Sequence, residues 1–242
     1  MGAHTGVSPP DNLPGSGRVL DDSTSAPVVA PDGSIYYGAY TRYNYAQGHL
    51  MRWSSAGQYL PSNNDALSGF QFGWDTTPAL FSYTAADGTS TFAVITKENH
   101  YGDVGSYCND NTLCPPDRDA TNPAYGEKYF MTSLTPDLSG FNWQWQNTNQ
   151  LSCSHAKDGT LACVSDHPLG FEWCVNAPAV DGNGTVFSNS EDGNLYEIDR
   201  NGHLVNQVFT NLALGAAYTP LSIGPDGKIY TQNNGHLFVV GN

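Results

Sequence analysis

The sequence is short of cations. Its 242 residues hold 9 Lys and Arg against 23 Asp and Glu, a net charge of −14. Such a chain repels a phosphate backbone, which argues against nucleic acid as a partner. Cation binding and plain solubility remain as uses of the charge. Long apolar runs are missing too. No stretch of about 18 apolar residues is present, so no membrane span is expected. The opening "MGAHTGVSPPDNLPGSG" has no apolar segment of signal-peptide type. A secreted or periplasmic chain is therefore read as lying downstream of a removed leader. No Cys/His spacing for zinc occurs, no two cysteines are adjacent, and the Gly-x-Ser-x-Gly turn of serine esterases is absent. The apolar period of amphipathic helices is scarce.

What is plentiful is turn chemistry. The chain has 26 Gly, 15 Pro and 12% aromatic residues, with 39% hydrophobic residues and a mean hydropathy of −0.40. Apolar runs are short and end at Gly, Asn, Asp or Pro. That pattern predicts an all-β protein.

An internal repeat sets the architecture. "APVVAPDGSIYYG" (26–38), "APAVDGNGTVFSN" (177–189) and "TPLSIGPDGKIYT" (219–231) share one plan. A small residue and a proline lead into a short strand, a Gly-containing turn and a second strand. "TPALFSYTAADGTSTFAVI" (77–95) has the same plan with a longer turn. Third strands are expected at 48–54, 127–134, 193–199 and 235–241, and fourth strands at 55–60, 138–145 and 201–209. The unit is a four-stranded meander of propeller-blade size. Its prolines, Pro27, Pro78, Pro178 and Pro220, are spaced by 51, 100 and 42 residues. The long step is expected to hold two blades. The extra one, at 150–174, is irregular and shows no third strand. The last blade lacks a fourth strand, and "GSGRVLDD" (15–22) matches that pattern, so Gly17–Leu20 is expected to close the ring. Pro220 round to Pro27 then measures 49 residues, one blade. The expectation is a single propeller domain of about five blades over 15–242, after a flexible segment at 1–14. The alternative is the C-terminal part of a seven- or eight-bladed ring, which would associate as a dimer; a complete ring would be a monomer.

"PDGSIYYG", "GNGTVFSNSEDGNLYEIDRNGHL" and "PDGKIYTQNNGHLFVV" resemble the PQQ-like β-propeller repeat superfamily. That group includes quinoprotein dehydrogenases and non-catalytic outer-membrane-assembly propellers. The resemblance implies a fold and not a function. The quinone enzymes of the group use a disulfide between adjacent cysteines, which this chain lacks, and no cofactor residue can be matched. PQQ is therefore not expected.

The five cysteines indicate an oxidising compartment. Cys108 and Cys114 bracket a polar loop and are expected to form a bridge that pins it. Cys153 and Cys163 face one another if Lys157-Asp158-Gly159 forms the turn. Cys174 is left over. Residues 98–126 insert between the second and third strands of the second unit, and long loops of this kind carry function.

In a propeller, the loops before first strands and between second and third strands share one face around the channel. Those loops carry Asp21, Asp22, Asp75, Glu172, Asn176 and Tyr218, and Glu98, Asn99, His100, Asp103, Asp166, His167, Glu191 and Asp192. Asp75, Glu98, Asp166, Asn176 and Glu191 are the candidate ligands of a Ca²⁺-type ion, because oxygen donors suit hard cations. His100, His167 and Glu191 are the candidate catalytic groups. Asp192-Gly193 and Asn234-Gly235 read as ordinary hairpin turns. His49 and His236 occupy matching repeat positions and read as structural. Two functions follow. One is a secreted or periplasmic module that binds a small molecule or a protein at the channel face. The other is a metal-dependent hydrolase of esters or phosphotriesters at the channel mouth.

Overall fold

Aspartate builds the turns. Among the described residues, eight hairpin or strand-end turns carry an Asp whose Oδ1 accepts the amide two residues on: Asp32, Asp87, Asp137, Asp158, Asp181, Asp192, Asp199 and Asp226. The side chain imitates a backbone turn, and a left-handed residue after it reverses the chain. That residue is usually glycine. In "PDLSG" it is Leu138, with φ of 60°. A leucine is tolerated there because its side chain is fully buried in a core, which offsets the backbone strain.

The computed structural model describes residues 6–7, 14–15, 25–40, 48–60, 70–71, 76–100, 128–213 and 219–241. The strand expected at Gly17–Leu20, the segment 1–14 apart from two short strands, Asp75, and residues 101–126 of the insertion, with Cys108 and Cys114, lie outside the described residues. So does the side chain of His100. Residues 98–100, expected in the insertion, instead continue the strand Ser90–His100, because they pair with 128–130.

No helix occurs among the described residues. β1 (Gly6–Val7) and β2 (Pro14–Gly15) form a short pair. The first sheet is β3 (Val28–Val29), β4 (Ile35–Tyr40), β5 (Gly48–Trp53) and β6 (Phe70–Gln71). The second is β7 (Ala79–Thr84), β8 (Ser90–His100), β9 (Lys128–Leu134) and β10 (Phe141–Gln146). A hairpin follows, β11 (Leu151–His155) and β12 (Leu161–Ser165). The third sheet is β13 (Ala179–Val180), β14 (Val186–Asn189), β15 (Asn194–Ile198) and β16 (Leu204–Phe209). The last is β17 (Ser222–Ile223), β18 (Ile229–Asn233) and β19 (His236–Val240). Each sheet is an antiparallel meander in chain order. The meanders within 28–71, 79–146, 179–209 and 222–240 fall where blades were expected. One correction concerns 55–60, expected as a fourth strand. It is a turn closed by Ser54 and Gln58, with one bridge from Tyr59 to Trp53, and the fourth strand is β6.

The sheets are stitched at their lead-in segments. The amide of Ala26 donates to Thr77 Oγ1 at 2.7 Å. The Thr77 amide donates to the Asn176 carbonyl at 2.7 Å, and the Leu221 amide to the Ala177 carbonyl at 3.1 Å. The lead-ins of the second and third sheets are therefore direct neighbours. The β11–β12 hairpin stands outside this ladder. It takes the place of the irregular extra blade and, as the sequence indicated, shows no third strand.

The second sheet is buried on both faces. Phe92 and Val94 of β8 pack with Leu134 and Leu138 against Ala30, Tyr36 and Leu50 of the first sheet. Ala93 and Ile95, one residue out of phase, pack with Met131 against Val186, Leu195, Tyr196 and Ile198 of the third and Leu221 and Ile229 of the last. Period-2 alternation thus feeds two cores from one strand. Face-to-face packing of successive meanders is propeller packing.

The turn hydrogen bonds hold Asp87, Asp137, Asp158 and Asp199 below the usual carboxylate range. Each is depressed on folding, so its contribution is complete above the unfolded pKa and is lost as pH falls through the folded one. The urea midpoint should hold steady from neutral pH to about pH 5 and fall below about pH 4. A variant with Asp87, Asp158 and Asp199 changed to Asn should lose part of that fall. The same acid profile in both proteins would contradict it.

Candidate functional site: a thiol between two carboxylates

The segment 171–175 reads Phe-Glu-Trp-Cys-Val. Alternation sends Trp173 and Val175 into the larger core and places Glu172 and Cys174 on the opposite side. The segment is clamped from two sheets. Asn99, at the end of β8, accepts the Trp173 amide and donates to its carbonyl, both at 3.1 Å. Ser190 Oγ, from the β14–β15 turn, donates to the Glu172 carbonyl at 3.0 Å. The Ala213 amide donates to the Glu191 carbonyl at 3.0 Å.

This clamp brings Glu172, Cys174 and Glu191 together. The buried Cys174 Sγ lies 3.2 Å from Glu172 Oε1 and 3.1 Å from Glu191 Oε1. One ligand atom of each residue lies within 4.8 Å of the other two. The thiol is free of any disulfide. Two oxygens and one sulfur are a mixed donor set, which suits a borderline divalent ion such as zinc better than calcium.

Of the expected calcium ligands, the structure brings only Glu191 into this cluster. Glu98 points into the second sheet, where its Oε2 accepts Thr132 Oγ1 at 3.0 Å and Gln144 Nε2 at 2.5 Å. Asn176 lends its backbone carbonyl to the ladder. Asp166 and His167 sit at the base of the β11–β12 hairpin. His100 ends β8, its backbone opposite Lys128. Sequence places Glu172 in a loop before a first strand without singling it out as a ligand, and leaves Cys174 without a partner cysteine. The apolar alternation around them was the signal that could have found both.

Asp166 and His167 pair with Ser152 in a way that resembles a catalytic trio but is not one. Ser152 Oγ lies 2.6 Å from Asp166 Oδ1 and 3.1 Å from His167 Nδ1, and Asp166 Oδ1 lies 2.7 Å from the same Nδ1. A triad needs serine and aspartate on opposite ring nitrogens. Here both meet Nδ1, and the ring stacks on Phe171 at 3.9 Å. The bonds from Ser152 first, and then from His167, hold the Asp166 carboxyl below its usual range. The arrangement anchors the hairpin.

Asp192 is a structural turn residue, as its Asp-Gly sequence indicated. It is fully buried. Besides the turn amide, its Oδ2 accepts Asn149 Nδ2 at 2.9 Å, Asn147 Nδ2 at 3.4 Å and a short bond from the Tyr196 hydroxyl. Burial first, and then the Asp192 charge, push the Tyr196 hydroxyl far above its ordinary pKa.

No family model matches the chain, and no curated protein matches it. Solved structures do. A protein of unknown function from Bacteroides caccae is 9% identical, with a TM-score of 0.36 over 88% of this chain and 59% of that one. BamB from Moraxella catarrhalis is 11% identical, with a TM-score of 0.30 over 94% and 62%. A europium-containing methanol dehydrogenase is 11% identical, with a TM-score of 0.31 over 86% and 50%. The chain spans 50% to 62% of the length of these structures. The blade fold itself is carried by the sheet order and the lead-in ladder of this chain.

Changing Asp192 to Ala should lower unfolding stability by about 1–3 kcal/mol, because buried donors lose their acceptor. Urea unfolding would measure it. A loss within about 0.5 kcal/mol, the size of an ordinary surface change, would show that the network is not load-carrying.

Proposed function

We propose that the protein is a secreted or periplasmic PQQ-like β-propeller that binds a partner protein, and that the β11–β12 hairpin is the contacting arm. The observation that carries this reading is the exposure of the hairpin. All five residues of β12 are exposed. Leu161, Val164 and Leu169 present 46%, 60% and 56% of their surface, and Leu151 presents 44%. An isolated two-stranded hairpin is marginal in water, yet this one is stapled by a disulfide between directly opposed Cys153 and Cys163. The Ser152–Asp166–His167 contacts hold its base, and His155 rests on Phe209 at the end of β16. Apolar surface kept rigid and open to water marks a protein contact, and the staple favours an oxidising compartment. A photo-crosslinking residue at position 164 should yield one discrete heterologous adduct in the native compartment. Leu161→Asp should abolish that adduct without moving the thermal midpoint. An adduct unchanged by Leu161→Asp, adducts only between copies of this chain, or none at all would reject the reading.

The Glu172–Cys174–Glu191 cluster favours a second reading, a metal-dependent hydrolase at the channel face. A divalent ion there would polarise an ester or phosphoryl oxygen. The mixed donors replace the calcium expected from sequence with a borderline ion. Protein loaded with Co²⁺ should show a thiolate-to-cobalt absorption band that disappears in Cys174→Ser. Hydrolysis of an activated ester should then require metal. No sulfur band, or hydrolysis unaffected by chelation, would exclude this reading.

A further inference from the structure

One face of the second sheet carries a trough. Cross-strand pairs lie on the same face of a sheet. Phe81 of β7 pairs with Ala93 of β8. Ile95 of β8 pairs with Ser133 of β9, and Ser133 with Trp143 of β10. Rings therefore stand at both margins of the face, on β7 and β10, and Ala93, Ile95 and Ser133 lie between them as a buried floor. The margins are three strand spacings apart, about 14 Å. Tyr83, two residues along β7, adds a ring parallel to Phe81, with centroids 5.7 Å apart and planes within 12°.

Two turns of the third sheet close the trough from the other side. At both, glycine admits a ring. A Cβ on Gly184 would lie 2.7 Å from the Phe81 ring, and one on Gly202 would lie 2.7 Å from the Trp143 side chain. What remains is a cavity of about 290 Å³, lined by these rings and by Arg200 and Asn201. That is near the lower end of the range for small-molecule sites. The Arg200–Asn201 turn is rigid, because Asp199 accepts the amides of Asn201 at 2.8 Å and His203 at 2.9 Å. The guanidinium of Arg200 and the side-chain carboxamide of Asn201 make no hydrogen bond to any described residue. They are exposed donors at the rim of an aromatic trough.

We propose that this trough binds a saccharide. The C–H face of a pyranose ring is apolar and meets the negative face of an aromatic ring favourably. Its adjacent hydroxyls match the forked donors of a guanidinium and the donor–acceptor pair of a carboxamide. The negative charge of the chain disfavours polyphosphates at the same place. The site is separate from both the hairpin and the thiol–carboxylate cluster, and it stands whether or not either of those functions.

The test is calorimetric titration of the whole chain with cello-, xylo-, malto- and chito-hexaose and with an oligogalacturonate. At least one should give saturable heat. The double variant Arg200→Ala, Asn201→Ala changes only exposed tips and should weaken that binding at least about tenfold with an unchanged thermal midpoint. Leu161→Asp, on the hairpin, should leave it intact. If the oligogalacturonate alone binds, Arg200 is pairing with a carboxylate and the saccharide assignment still stands. Saturable heat with none of the five, binding indifferent to the double variant, or binding lost in Leu161→Asp would overturn the proposal.

Discussion

The structure depends on a line of hydrogen bonds between lead-in segments. Each sheet is a local meander of strands in chain order. Beside the shared cores, what joins them is the contact of Ala26 with Thr77, of Thr77 with Asn176, and of Ala177 with Leu221. Proline makes this line possible. A residue before proline is driven to extended backbone, and Ala26, Thr77, Ala177 and Thr219 each precede one. Their amides and carbonyls then point sideways to the neighbouring segment and are not spent on a local turn. The two cores lie beside this line, so the ladder also sets which apolar faces meet.

The acidic excess has a structural use. Among the described residues eight aspartates are acceptors in turns, and Asp192 also anchors a buried hydroxyl and two amides. Counted as free charge, these groups suggest a field for cations. Placed in the fold, they are the means by which a Gly-rich chain reverses direction repeatedly. Glu172, Cys174 and Glu191 are held side by side because two sheets clamp one strand-like segment.

Departures from the repeat and regular positions of the blade plan point to different uses. The hairpin is an insertion between two sheets that are already neighbours, and it projects apolar surface outward. The aromatic trough is made from regular blade positions in which large and small side chains happen to alternate across one face. Neither needs the other, since one lies beyond the ladder and the other between stacked sheets.

Much of the fold was legible in the chain itself. Proline-led strands, Asp-Gly turns and alternating apolar residues are local, and their physics is complete within about ten residues. The blades, their order and the Cys153–Cys163 pairing could be read for that reason, as could the structural role of Asp192. The site was not legible in the same way. Glu98 and Glu191 look alike in sequence, both acids beyond a second strand. One turns into its own sheet to meet Thr132 and Gln144, and the other meets Glu172 and Cys174 across a sheet boundary. Nothing local separates them, because the direction of each carboxylate is decided by a partner more than fifteen residues away. The chain determined what each blade is. Tertiary packing decided which blades touch, and so which side chains share a space.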